Sequence, residues 1–117
     1  MELTEIAFFT ADVASLVDFY RHLLDKEPVH ASDGMATFLV GSTKVFIHAT
    51  YVPGEGELPP EDHIAFAVDD LDGACATLGS RGVEIEVAPR DYYWGRSAYL
   101  RAPNGQLIEL TERKESS

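Results

Sequence analysis

Apolar positions along the chain switch between two periods. Glu5-Ile6-Ala7-Phe8-Phe9-Thr10 is a short apolar run bounded by polar residues, which predicts a strand. Over 13–24 the residues Val13, Leu16, Val17, Tyr20, Leu23 and Leu24 recur at helical spacing, with Asp12 placed to cap the first turn and Pro28 to end the element. Three strand-like runs follow at 29–32, 35–40 and 44–49. Asp33-Gly34 and Gly41-Ser42 between them supply the turn residues hairpins need. The stretch 53–60 is rich in Gly, Pro and Glu without periodicity and reads as a linker or mobile loop. The pattern then restarts. A strand is predicted at 63–68, and a helix capped by Asp69 or Asp70 runs through Leu71, Ala74, Leu78 and Gly79 to end at Gly82. Strands are predicted near 84–88, 96–101 and 107–111, with Asn104-Gly105 as the last hairpin turn.

Both halves therefore share the order strand-helix-strand-strand-strand, and residue matches support a duplication. Glu5-Ile6-Ala7-Phe8 lies over His63-Ile64-Ala65-Phe66, an offset of 58 residues (5 to 63). Phe46-Ile47-His48-Ala49-Thr50 lies over Leu107-Ile108-Glu109-Leu110-Thr111, an offset of 61 (48 to 109). Two matches in the same order indicate a repeated module with a small loop insertion. The expected class is α+β: one domain over 1–117, made of two βαβββ modules in tandem that form a cupped mixed sheet. Module 1 is placed at 3–52, the linker at 53–61, module 2 at 62–112 and a frayed tail at 113–117.

Composition narrows the function classes. A chain of 117 residues, 45% hydrophobic, suits one compact domain. No run approaches the roughly 20 apolar residues of a membrane span, and the N-terminus lacks a signal-peptide pattern, so a cytoplasmic protein without membrane association is expected. The single cysteine, Cys75, excludes an intrachain disulfide, and in its alanine-rich stretch it reads as a small buried hydrophobe. Nine basic against twenty acidic residues give a net charge of −11, which repels phosphate backbones and argues against nucleic acid as a partner. That acidity serves solubility or attracts a cationic ligand.

Strand alternation puts Glu5, Ala7 and Phe9 on one face, as it does His63, Ala65 and Ala67. Phe46, His48 and Thr50 share a face in the last strand of module 1, and Leu107, Glu109 and Thr111 in that of module 2. If the modules pack as a pseudo-two-fold pair, Glu5, His48, His63 and Glu109 converge. Two imidazoles and two carboxylates suit a divalent first-row ion (Zn, Ni, Co, Mn or Fe), which would also offset the desolvation of the carboxylates. The bland reading makes the glutamates partly exposed and the histidines hydrogen-bonded core residues. A second feature is Arg90-Asp91-Tyr92-Tyr93-Trp94-Gly95-Arg96, followed by Tyr99 and Arg101, in a strand connection. Its aromatics wall a ligand pocket or cover a subunit interface, and Arg96 binds an anionic group or pairs with a surface acid. Tyr92, Trp94, Arg96, Phe9 and Phe46 are the candidate substrate contacts. No P-loop, dinucleotide fingerprint or Cys-rich zinc framework is present.

These residues resemble a known family. Glu5-Ile6-Ala7-Phe8-Phe9-Thr10-Ala11-Asp12-Val13 with Phe19-Tyr20 and Leu23-Leu24 is similar to the opening of the vicinal-oxygen-chelate superfamily, also called the glyoxalase/bleomycin-resistance/extradiol-dioxygenase family. His63-Ile64-Ala65-Phe66-Ala67-Val68-Asp69-Asp70-Leu71 is similar to its second-module start. Trp94-Gly95-Arg96, Arg101-Ala102-Pro103-Asn104-Gly105 and Leu107-Ile108-Glu109-Leu110 are similar to its closing hairpin. The resemblance spans essentially the whole chain and implies metal positions at Glu5, His48, His63 and Glu109. The family's first position is commonly His, and glyoxalase I typically has Glu at the second; here the two types are exchanged. Leu24-Asp25 replaces the common Leu-Gly. The resemblance also implies a homodimer and a metal acting as a Lewis acid on neighbouring oxygens, with Glu109 or Glu5 as the proton-transfer base. Three functions are then open. One is a metal-dependent lyase or isomerase acting on a small oxygenated molecule. Another is a metal-free, bleomycin-resistance-like protein that sequesters a drug-like, cationic compound on Tyr92, Tyr93 and Trp94. The third is a module that keeps the fold alone.

Overall fold

The computed structural model describes residues 1–55 and 60–113; part of the expected linker and most of the expected tail lie outside them. The element order is β1 (Glu2–Thr10), α1 (Val13–Leu24), β2 (His30–Ala31), β3 (Met35–Val40), β4 (Thr43–Ala49), then β5 (His63–Val68), α2 (Leu71–Ser80), β6 (Ile85–Tyr92), β7 (Gly95–Arg101) and β8 (Leu107–Glu112). The class is α+β, and each half repeats the βαβββ order. Two compact units divide the chain, Glu5–Asp62 in one and His63–Ser117 with Met1–Thr4 in the other, so β1 contributes residues to both.

In the first unit the strand order is β2-β3-β4-β1, with β1 and β4 parallel and the remaining pairs antiparallel. Alternation sends Phe8, Val45, Ile47, Ala36 and Phe38 to the side that α1 covers, where Val13 and Val17 are buried and Leu16, Tyr20 and Leu24 pack around them. Asp12 caps α1, its Oδ1 accepting the Ser15 N–H at 3.0 Å. The helix stops at Leu24, ahead of Pro28, because Asp25 turns left-handed (φ 51°, ψ 49°) and donates its backbone N–H to the Arg21 carbonyl. Asp25 is a poor occupant of this position. A Cβ is strained there, and a carboxylate sits at the negative end of the helix dipole. Asp25→Gly should therefore stabilise the fold by about 0.5–1 kcal/mol, read as a higher urea midpoint with an unchanged m-value.

The second unit has the order β5-β8-β7-β6, with β5 and β8 parallel. Here α2 covers the face bearing Phe66, Val68, Ala98, Leu100, Ile108 and Leu110. Asp70, not Asp69, is its cap, with Oδ1 accepting the Gly73 N–H at 3.0 Å, and Gly82 (φ 84°) lies just past its end. Cys75 is buried against Leu71, and burial pushes its thiol pKa up with help from Asp72, as expected of a small core hydrophobe.

Two strands outrun their expected lengths. β1 begins at Glu2, where the polar residues are held in place by Thr4 Oγ1 donating to Ala65 O at 3.3 Å and by Glu2 pairing with Arg113 at 2.7 Å. β6 continues through Pro89 to Tyr92. It stands at the end of the strand order, and an edge strand tolerates a residue with no N–H. The aromatic and basic cluster is thus not wholly a connection: Arg90, Asp91 and Tyr92 are strand residues, Tyr93 and Trp94 form the turn, and Gly95 takes φ 142°. Among the described residues no helix is long and apolar enough to cross a membrane.

Candidate metal centre

The parallel register of β5 and β8 pairs His63 with Leu107 and Ala65 with Glu109. Since the alternate residues pack under α2, His63 and Glu109 share the opposite face, joined there by Ser97 and Tyr99 of β7, where Tyr99 is the cross-strand partner of Glu109. His63 Nε2 lies 3.2 Å from Glu109 Oε1, and the two side chains are only 13% and 8% exposed. The second carboxylate oxygen, Oε2, accepts a 2.8 Å hydrogen bond from the fully buried Ser97 hydroxyl. Ser97 Oγ in turn accepts from Trp94 Nε1–H at 3.3 Å.

The aromatic residues extend from this pair. Tyr99 sets its ring edge-on to His63, 6.3 Å between centroids, and Tyr92 edge-on to Tyr99 at 6.1 Å. Tyr92 and Trp94 stack at 4.4 Å with 8° between planes, and the Arg90 guanidinium lies 5.0 Å over the Tyr92 ring. Burial pushes the Tyr92 phenol pKa up; Arg90 opposes this and Glu109 adds to it.

Glu5 is the residue after Thr4, whose hydroxyl reaches the Ala65 carbonyl of β5. One ligand atom each from Glu5, His63 and Glu109 lie within 4.8 Å of one another, with Glu109 buried and the other two half-buried. By chemical type, two carboxylates and an imidazole suit a divalent ion. Ligand atoms sharing an ion at about 2.0–2.2 Å stand roughly 3–3.6 Å apart, and the His63–Glu109 separation of 3.2 Å falls in that range. Two carboxylates so near one another repel when both are ionised, and a dication offsets that repulsion.

His48 does not join this cluster, and the strand register shows why. Glu5 pairs with Lys44 while His48 pairs with Phe9, so the two are four positions apart along the strands, about 13 Å at 3.3 Å per residue. The register also revises the repeat alignment. Ala65 pairs with Glu109 and Ala7 with Phe46, which makes Phe46 the counterpart of Glu109, an offset of 63 (46 to 109) rather than 61. His48 instead donates its Nδ1–H to the Ala49 carbonyl at 2.7 Å and is surrounded by Phe9, Phe46 and Tyr51, with ring centroids 5.7–6.0 Å away. Phe9 and Phe46 thus flank His48. Arg96 alternates to the α2 side, where it meets Asp72 at 2.8 Å, Asp91 at 3.6 Å and Glu112 at 4.0 Å; it pairs with acids. Ser97 went unread in the sequence. Its signal was a small hydroxyl two positions from Tyr99, on the Glu109 face of a strand whose other inward residues are larger or apolar.

The fold and the repeated βαβββ order agree with a family match over residues 2–110: the chain belongs to the Glyoxalase/Bleomycin resistance protein/Dioxygenase superfamily. No curated protein matches it. Among solved structures, methylmalonyl-CoA epimerase from Mycobacterium tuberculosis is similar at 24% identity and TM-score 0.66, over 97% of this chain and 89% of that one. A single-site variant of Streptomyces coelicolor methylmalonyl-CoA epimerase, in complex with 2-nitronate-propionyl-CoA, is similar at 23% identity and TM-score 0.65, over 100% and 99%. A hypothetical protein, BH1468 from Bacillus halodurans, reaches TM-score 0.75 at 20% identity, over 99% and 96%. These likenesses establish a shared fold.

Proposed function

We propose that this chain is a glyoxalase-like, divalent-metal-dependent enzyme of lyase or isomerase type that moves a proton on a small oxygenated molecule. The supporting observation is the approach of Glu5, His63 and Glu109 to within 4.8 Å of one another. A first-row dication held there supplies Lewis acidity to substrate oxygens. Glu109, tied through one oxygen to His63 and through the other to Ser97, serves as a fixed ligand. Glu5, half-buried, carries the proton to and from the substrate carbon. Tyr99, Tyr92 and Trp94 form the apolar wall beside these groups and limit water at the reacting carbon.

The alternative, metal-free capture of a cationic drug-like compound, needs Tyr92, Tyr93 and Trp94 together as an open stacking platform, and of these Tyr93 is exposed and edge-on to Trp94. Tyr92 already stacks on Trp94 and has Arg90 over its ring, which favours the enzyme reading. The experiment is solvent exchange. Small 2-oxo acids and acyl thioesters are incubated in D2O with metal-loaded protein and followed by proton NMR. Metal-dependent deuterium uptake at the carbon next to the carbonyl, reduced at least a hundredfold by Glu5→Gln, is expected; no uptake across the panel from loaded protein contradicts the reading. We also take the working form to be a homodimer, as the family resemblance implies. The exposure of Phe19 (57%) and Leu23 (62%) on α1 is consistent with a covered face. Sedimentation should give twice the 12.9 kDa chain mass.

A further inference from the structure

We infer that Ser97 is a positioning residue that selects which oxygen of Glu109 faces the ion, and that Trp94 sets the direction of its hydroxyl. This rests on the metal-centre reading above. The indole N–H is only a donor. At 3.3 Å from Ser97 Oγ it occupies a lone pair, so the single hydroxyl proton must point elsewhere. Glu109 Oε2, 2.8 Å away, receives it. The chain Trp94 → Ser97 → Glu109 therefore has one polarity, and it is closed to solvent at its centre, where Ser97 is 0% exposed and Glu109 6%. With Oε2 engaged, Oε1 is the oxygen directed to His63 Nε2, and it is presented singly to a shared ion. Carboxylate ligands held by an outer hydrogen bond bind metal more tightly than untethered ones, and losing the outer partner weakens affinity by about 10–100-fold.

Without the Ser97 hydroxyl, Oε2 would be free to turn toward a bound ion, and Glu109 would offer two ligating oxygens instead of one. The single tryptophan of the chain is one hydrogen bond removed from a ligand's own partner, so its fluorescence should report occupancy of the site. The test is a Co2+ titration of the full chain, wild type, Ser97→Ala and Trp94→Phe, by calorimetry and by visible absorption. Trp94→Phe keeps an aromatic ring in the turn at a half-exposed position and serves where Ser97→Ala fails to fold. Expected are about 10–100-fold weaker binding and a weaker d–d band, from a higher coordination number, in Ser97→Ala, and a loss of several-fold in Trp94→Phe. Wild-type-like affinity and spectrum in both variants would overturn the positioning role while leaving the metal centre standing. Wild type that takes up no Co2+ at all would overturn the metal centre and this role with it.

Discussion

The double variant His63→Ala, Glu109→Ala is expected to lose divalent-metal binding altogether, by at least a hundredfold in affinity. The two residues supply two of the three ligand atoms that come within 4.8 Å of one another, and Glu5 by itself is a poor chelator. A consequence is visible without any substrate. A ligand that binds only the folded state stabilises it by about 2.7 kcal/mol at one hundred times its Kd. For a chain of this length that corresponds to a rise of roughly 8–16 °C in Tm. Wild type should show this rise on adding Zn, Ni, Co or Mn, and the double variant should show none. Equal shifts in both proteins would mean that ions bind elsewhere.

Phe38→Ala is expected to cost about 3–5 kcal/mol of stability. Phe38 is fully buried in β3, packed with Ile47, Val45 and Ala36 beneath α1, and its ring lies 6.3 Å from Tyr20. Truncation removes the largest fully buried side chain of that core and leaves a void the small neighbour Ala36 cannot fill. Since domains of this kind are stable by only about 5–15 kcal/mol, the variant should unfold roughly 10–25 °C lower by calorimetry. A drop of only a few degrees would show that the first unit's core sits elsewhere.

Much of this fold was legible because apolar period and cap chemistry agree. Val13–Leu24 and Met35–Val40 follow directly from spacing and turn residues, and Asp12 caps as its position suggests. What could not be read involved partners distant in sequence. Pro89 lies just past the strand expected near 84–88, and the edge position of β6 lets the strand run on through it. Glu2 and Thr4 are polar, and their partners there are Arg113 and the Ala65 carbonyl. Asp25 ends α1 through a left-handed backbone that the sequence marks only by the missing glycine. The approach of Glu5, His63 and Glu109 to one another was legible from alternation and duplication. His48 was misplaced by two residues because similar hydrophobic runs can be overlaid in more than one register, and hydrogen-bond pairing alone decides between them. Ser97 offered only its small hydroxyl on the Glu109 face as a signal, and its weight comes from its partners, Trp94 and Glu109.

The claim on which the functional reading stands is that Glu5, His63 and Glu109 hold one divalent ion together. Anomalous diffraction from crystals grown with Co2+ tests it most directly. The expected result is one strong peak with an oxygen of Glu5, Nε2 of His63 and Oε1 of Glu109 each about 2.0–2.2 Å away. A peak confined to His48 or to the surface acids, with the three side chains left unliganded, would contradict it.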